Sequence, residues 1–247
     1  MPESANNQPW PWFLAPLRKA LERMHPPQGD FDPSGAWQQV YGVYILAPAR
    51  GAKSETPTKY GKLVLTRKAA QAGRFQLEVE QEIFTRAKSG LRSRATLTCA
   101  VDRLATPQEW QLQSEPFEGS KAVAGTSVTE KAILRDRIIV RTNRSRNIAV
   151  PGPFTSNWSL CEAIQRLPFD APASPRFDML EDLDLLKTGQ SLHPVEGVTL
   201  ELAGRNLRLH AFRQTGHGIL PTHYWLDDEH RLIAAAGSLR GIILEKG

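Results

Sequence analysis

Apolar side chains recur at every second position in several short runs of this chain, and that period is the tightest constraint on its fold. Phe75, Leu77, Val79 and Ile83 share one parity, while Glu78, Glu80 and Glu82 occupy the other. Only an extended strand with one dry and one wet face sorts residues in this way. Ala95, Leu97, Cys99 and Val101 repeat the pattern against Arg94, Thr96 and Thr98, and Trp110 with Leu112 forms a further unit after a turn at 105–107. The aromatic and β-branched segments 36–46 and 59–66 predict two earlier strands, and 133–150 predicts one long strand. Five more short runs follow, at 198–202, 207–212, 223–226, 232–235 and 239–245. Turn chemistry separates them: Gly204-Arg205-Asn206, Gly216-His217-Gly218 and the Asp227–His230 segment. Such spacing predicts an antiparallel meander rather than βαβ units.

Helical periodicity appears in three places. Phe13, Leu14, Leu17, Leu21 and Met24 predict a short amphipathic helix that Pro26-Pro27 ends. Trp158, Cys161 and Ile164, with Leu160 and Leu167, predict a second helix, for which Thr155, Ser156 and Asn157 offer N-caps and Pro168 a stop. Phe177, Leu180, Leu183 and Leu186 predict a third, with Asp178, Glu181 and Asp182 at its positive end. The expected fold is therefore mainly β: a single curved antiparallel sheet, an open or half barrel, with an N-terminal helix and two inserted helices packed on it. Residues 1–11 read as a flexible segment, and 12–247 as a single β-rich domain with a helical insertion at about 155–187.

Composition narrows the class. With 247 residues, 40% of them hydrophobic, the chain is long and apolar enough for a substantial core, which excludes a disordered tail protein. No stretch approaches the roughly 18 uncharged apolar residues of a transmembrane helix. The N-terminus carries Glu3 where a signal peptide would carry basic residues, and Pro9, Pro11 and Pro16 interrupt its apolar stretch, so no signal peptide is read from it. Two cysteines exclude a disulfide-dense scaffold. Cys99 and Cys161 both fall on apolar faces and read as core thiols, which would pair only if strand and helix touched in an oxidising compartment. The net charge of +5 is mild, but its distribution is not.

Arg135, Arg137, Arg141, Arg144 and Arg146 lie within twelve residues. On one strand, the first three would share a face and suit phosphate, sulfate or an anionic glycan by bidentate guanidinium contacts. The alternative is a solvated strand paired with the Glu78, Glu80 and Glu82 face. No aromatic side chain interleaves 132–150, which disfavours nucleic acid. His210, His217, His223 and His230 recur every six or seven residues without metal-ligand spacing, and turn or surface positions account for them. No G-x-S-x-G elbow occurs; Ser127 reads as a strand or loop residue and Ser156 as a cap. Asp227, Asp228 and Glu229 read as a hairpin connection rather than an acid–base group. The residues thus imply no catalytic group, metal or cofactor.

A resemblance adds to this reading. Gly204-Arg205-Asn206-Leu207, then Leu220-Pro221-Thr222-His223-Tyr224-Trp225-Leu226-Asp227, Arg231-Leu232 and a final apolar strand resemble the closing hairpins of uncharacterised bacterial β-sheet families with a LolA-like or DUF-type open-barrel architecture. Residues 97–110 are similar in style to their earlier strands. The resemblance implies a curved antiparallel sheet with helices in its concavity, export in most relatives, and no catalytic residues. It points to the envelope or periplasm, whereas the N-terminus read alone points to the cytoplasm. The expected function is a non-enzymatic ligand-binding or structural protein of the bacterial cell envelope, holding a lipid or amphiphile between sheet and helices. Trp158, Ile164, Leu180, Leu183 and Trp225 are the expected groove residues. Two alternatives stand beside it. One is a hydrolase or lyase on an anionic polysaccharide using His223 or His230 with Asp227; the other is a protein-interaction domain anchored by Trp10 and Trp12.

Overall fold

The computed structural model describes residues 14–46, 57–86, 88–119, 121–143, 146–174, 176–202, 204–237 and 239–247. Residues 1–11, with Trp10 and Trp12, and Arg144 lie outside these. The alternating runs form one sheet of sixteen strands. They are β1 (Trp37–Ile45), β2 (Thr58–Arg67), β3 (Arg74–Arg86), β4 (Ser89–Ala100), β5 (Pro107–Glu118), β6 (Lys121–Ala122), β7 (Val128–Arg135) and β8 (Ile138–Arg141). After them come β9 (Ile148–Ala149), β10 (Phe154–Ser156), β11 (Phe177–Glu181), β12 (Leu185–Leu202), β13 (Arg205–Thr215), β14 (Thr222–Leu226), β15 (Leu232–Ala236) and β16 (Arg240–Lys246).

The order across the sheet is β10-β11-β12-β13-β14-β15-β16-β1-β2-β3-β4-β5-β7-β8-β9, with β6 beside β5. Pairing is antiparallel except at β10–β11, which is parallel, a correction to the wholly antiparallel expectation. The sheet curves without closing. Its two edge strands, β9 and β10, follow each other in sequence, so residues 150–153 carry the chain across the seam. Side chains help to hold the seam: Thr155 Oγ1 donates to Leu104 O at 2.6 Å and Thr106 Oγ1 to Phe154 O at 3.1 Å.

Alternation divides the wall into two rows. Val43, Ile242, Ala235, Tyr224 and Phe212 are cross-strand partners on the inner row, and Ile243, Ala234, Trp225 and Ala211 on the outer one. The outer row is also buried here, with Trp225 at 2% exposure. The N-terminal segment covers it. Leu14, Leu17 and Leu21 are fully buried, and a Cβ built on Gly241 would meet Leu17 Cδ1 at 2.9 Å. This segment is a 3-10 turn, Ala15–Leu17, running into α1 (Arg18–Leu21), shorter than the periodicity predicts.

One helix is inserted, not two. α2 (Asn157–Ala163), extended by a 3-10 turn at Ile164–Arg166, starts at Ser156, whose Oγ accepts from Ser159 N at 3.0 Å. The helix expected around Leu180 and Leu183 is instead a hairpin. Leu180 pairs with Leu186 across β11 and β12, and Asp182 and Leu183 at its tip take positive φ of 47° and 59°. Its leucine spacing of three came from pairing across a hairpin rather than from a helical face. The single long strand expected at 133–150 is likewise broken, by a two-residue turn at Asp136-Arg137 with φ of 47° and 63°, the left-handed pair that a type I′ hairpin needs. No helix among the described residues is long and apolar enough to cross a membrane.

Candidate ligand cavity

α2 lies against the inner row and divides the interior. Its first turns, with β1, β2, β3, β11, β12, β13, β14, β15 and β16, line a cavity of about 780 Å³. Most of its wall is apolar: Val43, Leu63, Ile83, Trp158, Met179, Tyr224, Ala235 and Ile242 all face it. Leu220 and Leu239 also line it and remain 60% and 62% exposed. Two greasy side chains so open to water mark the mouth.

Polar groups are few and mostly engaged. Gln81 stands in the otherwise apolar parity of β3, and its Oε1 accepts from Trp158 Nε1 at 3.2 Å. Gln214 occupies the inner row of β13. It accepts from the Tyr224 hydroxyl at 2.7 Å and donates to Gln190 Oε1 at 3.1 Å. Asn157 clasps Asp182 reciprocally: Asn157 Nδ2 donates to Asp182 Oδ1 at 2.9 Å, and Asp182 N donates to Asn157 Oδ1 at 2.9 Å. Burial pushes the Asp182 carboxyl above its usual range despite that bond. Lys187 Nζ pairs with Glu181 at 2.6 Å. Arg240, the first residue of β16, closes the set at the mouth.

Beyond the C-terminal end of α2 the interior is sealed by a polar network. Arg67 Nε and Arg166 Nε each reach Glu162 Oε1 at 2.8 Å, with Arg67 and Glu162 almost wholly buried. Gln39 and Gln165 exchange hydrogen bonds at 2.8 and 3.0 Å, the Tyr41 hydroxyl donates to Gln39 Oε1, and Leu232 N donates to Gln165 Oε1. The Arg67 guanidinium lies 4.4 Å from the centre of the Phe75 ring.

Comparison with known proteins informs the fold. No family model and no curated protein matches this sequence. A solved structure from Brucella abortus, a β-barrel-like protein of a domain of unknown function, DUF1849, superposes with a TM-score of 0.56 over 86% of this chain and 97% of that one, at 10% identity. The likeness is one of fold. This chain is β-barrel-like, in the manner of an uncharacterised bacterial protein.

Within this barrel-like frame the singled-out residues fall in separate places. Trp158 lines the cavity. Ile164, Leu180 and Leu183 are fully buried in the core away from the cavity lining, and Trp225 is buried on the outer row. The arginines do not share a face. Arg135 and Arg146 are exposed, Arg137 occupies a turn and donates to Pro151 O, and Arg141 is buried between Glu130 at 2.6 Å and Asp184 at 2.7 Å. The partnership expected between this strand and β3 is absent, because β3 lies between β2 and β4 and Glu82 pairs with Arg92. Arg141 instead bridges β7 to the β11–β12 turn across the seam.

The histidines scatter too. His210 and His230 sandwich Phe169, with ring centroids 3.6 and 3.9 Å away. His210 bonds Asp228 at 2.8 Å, while His217 is exposed. His223 lies on the outer row beside Trp225, where burial lowers it to about 4. His223 and the Asp227–His230 turn stand at opposite ends of β14. Asp227 accepts from Arg231 N at 2.8 Å, as a hairpin-closing residue does. Ser127 is exposed. Both thiols, Cys99 and Cys161, are free, buried and pushed up to about 12 by desolvation.

Proposed function

We propose that this chain is a non-enzymatic binding protein of the bacterial cell envelope, LolA-like in manner, that holds a lipid or amphiphile inside the barrel. The cavity carries this reading. Its volume lies within the roughly 300–1,000 Å³ of small-ligand sites, its wall is apolar with a few placed polar groups, and its mouth presents Leu220 and Leu239 to solvent. An acyl chain fits such a wall because each methylene transferred from water contributes about 0.8 kcal/mol. The rim leucines give it an apolar path inward. The buried thiols, with their ionisation opposed, offer no nucleophile to a ligand so held.

Native mass spectrometry of the purified protein, with titration of a fluorescent fatty acid, tests the reading. Lipid-bound species and saturable uptake at one site are expected. Cys161→Trp, which projects an indole into the cavity, is expected to abolish uptake while the fold persists by circular dichroism. A ligand-free protein that takes up no acyl probe would overturn it.

A further inference from the structure

Four charged side chains line the cavity among the described residues: Glu181, Asp182, Lys187 and Arg240. Glu181 and Lys187 neutralise each other at 2.6 Å. Asp182 is held by Asn157 and sits largely out of water, where burial opposes its ionisation. Arg240 differs from all three. It is exposed and shares the inner parity of Ile242; Asp182 acts on it from beyond ion-pair distance, and no carboxylate among the described residues pairs with it directly. Its near neighbour is the part-buried Tyr60, whose phenol burial keeps protonated and whose hydroxyl lies close enough to feel the guanidinium charge. A cation beside a neutral hydroxyl therefore stands at the rim, with Leu239 next to it and the apolar wall of Trp158 and Met179 beyond.

We infer that Arg240 receives the anionic head, carboxylate or phosphate, of a single-chain amphiphile whose tail occupies the apolar wall. The inference rests on the proposed binding function and specifies the ligand's charge. Guanidinium suits both heads because its fork of donors matches their paired oxygens. A neutral head at the same place would form no such paired, charge-assisted contact.

The test compares full-length wild type with Arg240→Gln and Arg240→Lys by calorimetry. The probes are palmitate, hexadecyl phosphate, monopalmitoyl glycerol and inorganic phosphate, each below its aggregation threshold. Palmitate and hexadecyl phosphate should bind wild type, and R240Q should weaken both by about 10–100-fold, the loss typical of one charge-assisted contact. R240K should recover part of that loss, and monopalmitoyl glycerol should bind wild type and R240Q alike. Inorganic phosphate should not bind measurably, since the tail supplies the anchorage. Equal binding of charged and neutral amphiphiles, unchanged in R240Q, would overturn the inference while leaving the cavity reading intact. Binding of inorganic phosphate as tight as that of hexadecyl phosphate would overturn it in favour of a free-anion site. Failure of all four probes would overturn the cavity reading and the inference with it. Arg240 is exposed at the first position of its strand, so both variants should keep the wild-type melting temperature.

Discussion

The two ends of α2 solve opposite problems with the same barrel wall. Toward Trp158 and Cys161 the wall is apolar and the space is left open. Toward Glu162 and Gln165, one turn further on, the space is filled by buried charges and amides bonded to strands from both halves of the sheet. A buried polar group is costly unless its partners are in place, so the sealed end tolerates little rearrangement. Dispersion and desolvation are less directional, so the hollow end can yield to a guest without breaking a hydrogen bond. One short helix thus separates a rigid region from an accommodating one.

The largest test of this contrast is Arg67→Met. Removing Arg67 leaves Glu162 with Arg166 alone and takes the guanidinium donor from the Ser34 and Gly35 carbonyls, which should cost about 3 kcal/mol in denaturant unfolding. The double variant Arg67→Met/Glu162→Met should recover only part of that loss, since Arg166 then loses its carboxylate partner and the Ser34 and Gly35 carbonyls still lack the guanidinium. A single variant as stable as wild type would show that the network does not hold the sealed end. A smaller effect separates the two ends directly. Ala163→Leu, at a fully buried position, should cost about 1–3 kcal/mol by overpacking, whereas Cys161→Leu, facing open space, should cost less than about 1 kcal/mol. Equal costs would erase the distinction.

The last effect depends on pH and concerns the outer row. His223 has a folded pKa of about 4, below its unfolded value near 6.5. The unfolded chain therefore takes up the proton first as pH falls, and stability should decline between about pH 6.5 and 4. His223→Gln should flatten unfolding free energy across that window. An unchanged pH profile would place the acid lability elsewhere.

Much of the strand arrangement was legible in residue parity, because one wet and one dry face impose period two. The cap at Ser156 was legible as well, since a hydroxyl before an apolar helical stretch satisfies an otherwise unpaired backbone N–H. Two hairpins were not. Their tips, Asp136-Arg137 and Asp182-Leu183, adopt left-handed backbone without the glycine or asparagine that normally announces it, so nothing local marked the reversal. The cavity was legible only in hindsight, in one polar residue that interrupts a dry row. Gln81 breaks the apolar parity of β3 and bonds Trp158 at the cavity, whereas Gln214 follows Arg208, His210 and Phe212 along β13 and carried no such signal. Arg240 carried no local signal at all. Its meaning depends on which charges surround it, and that is a property of the assembled wall.

The edges of the open sheet have a consequence for behaviour in a crowded compartment. β9 is two residues long and β10 three, and β10 is wholly buried. Strands so brief offer almost no template for a foreign chain to extend. The longer free edge is that of β12, which pairs with β11 only as far as Gln190, and Pro194, Glu196 and Glu201 along it discourage a foreign strand from adding there.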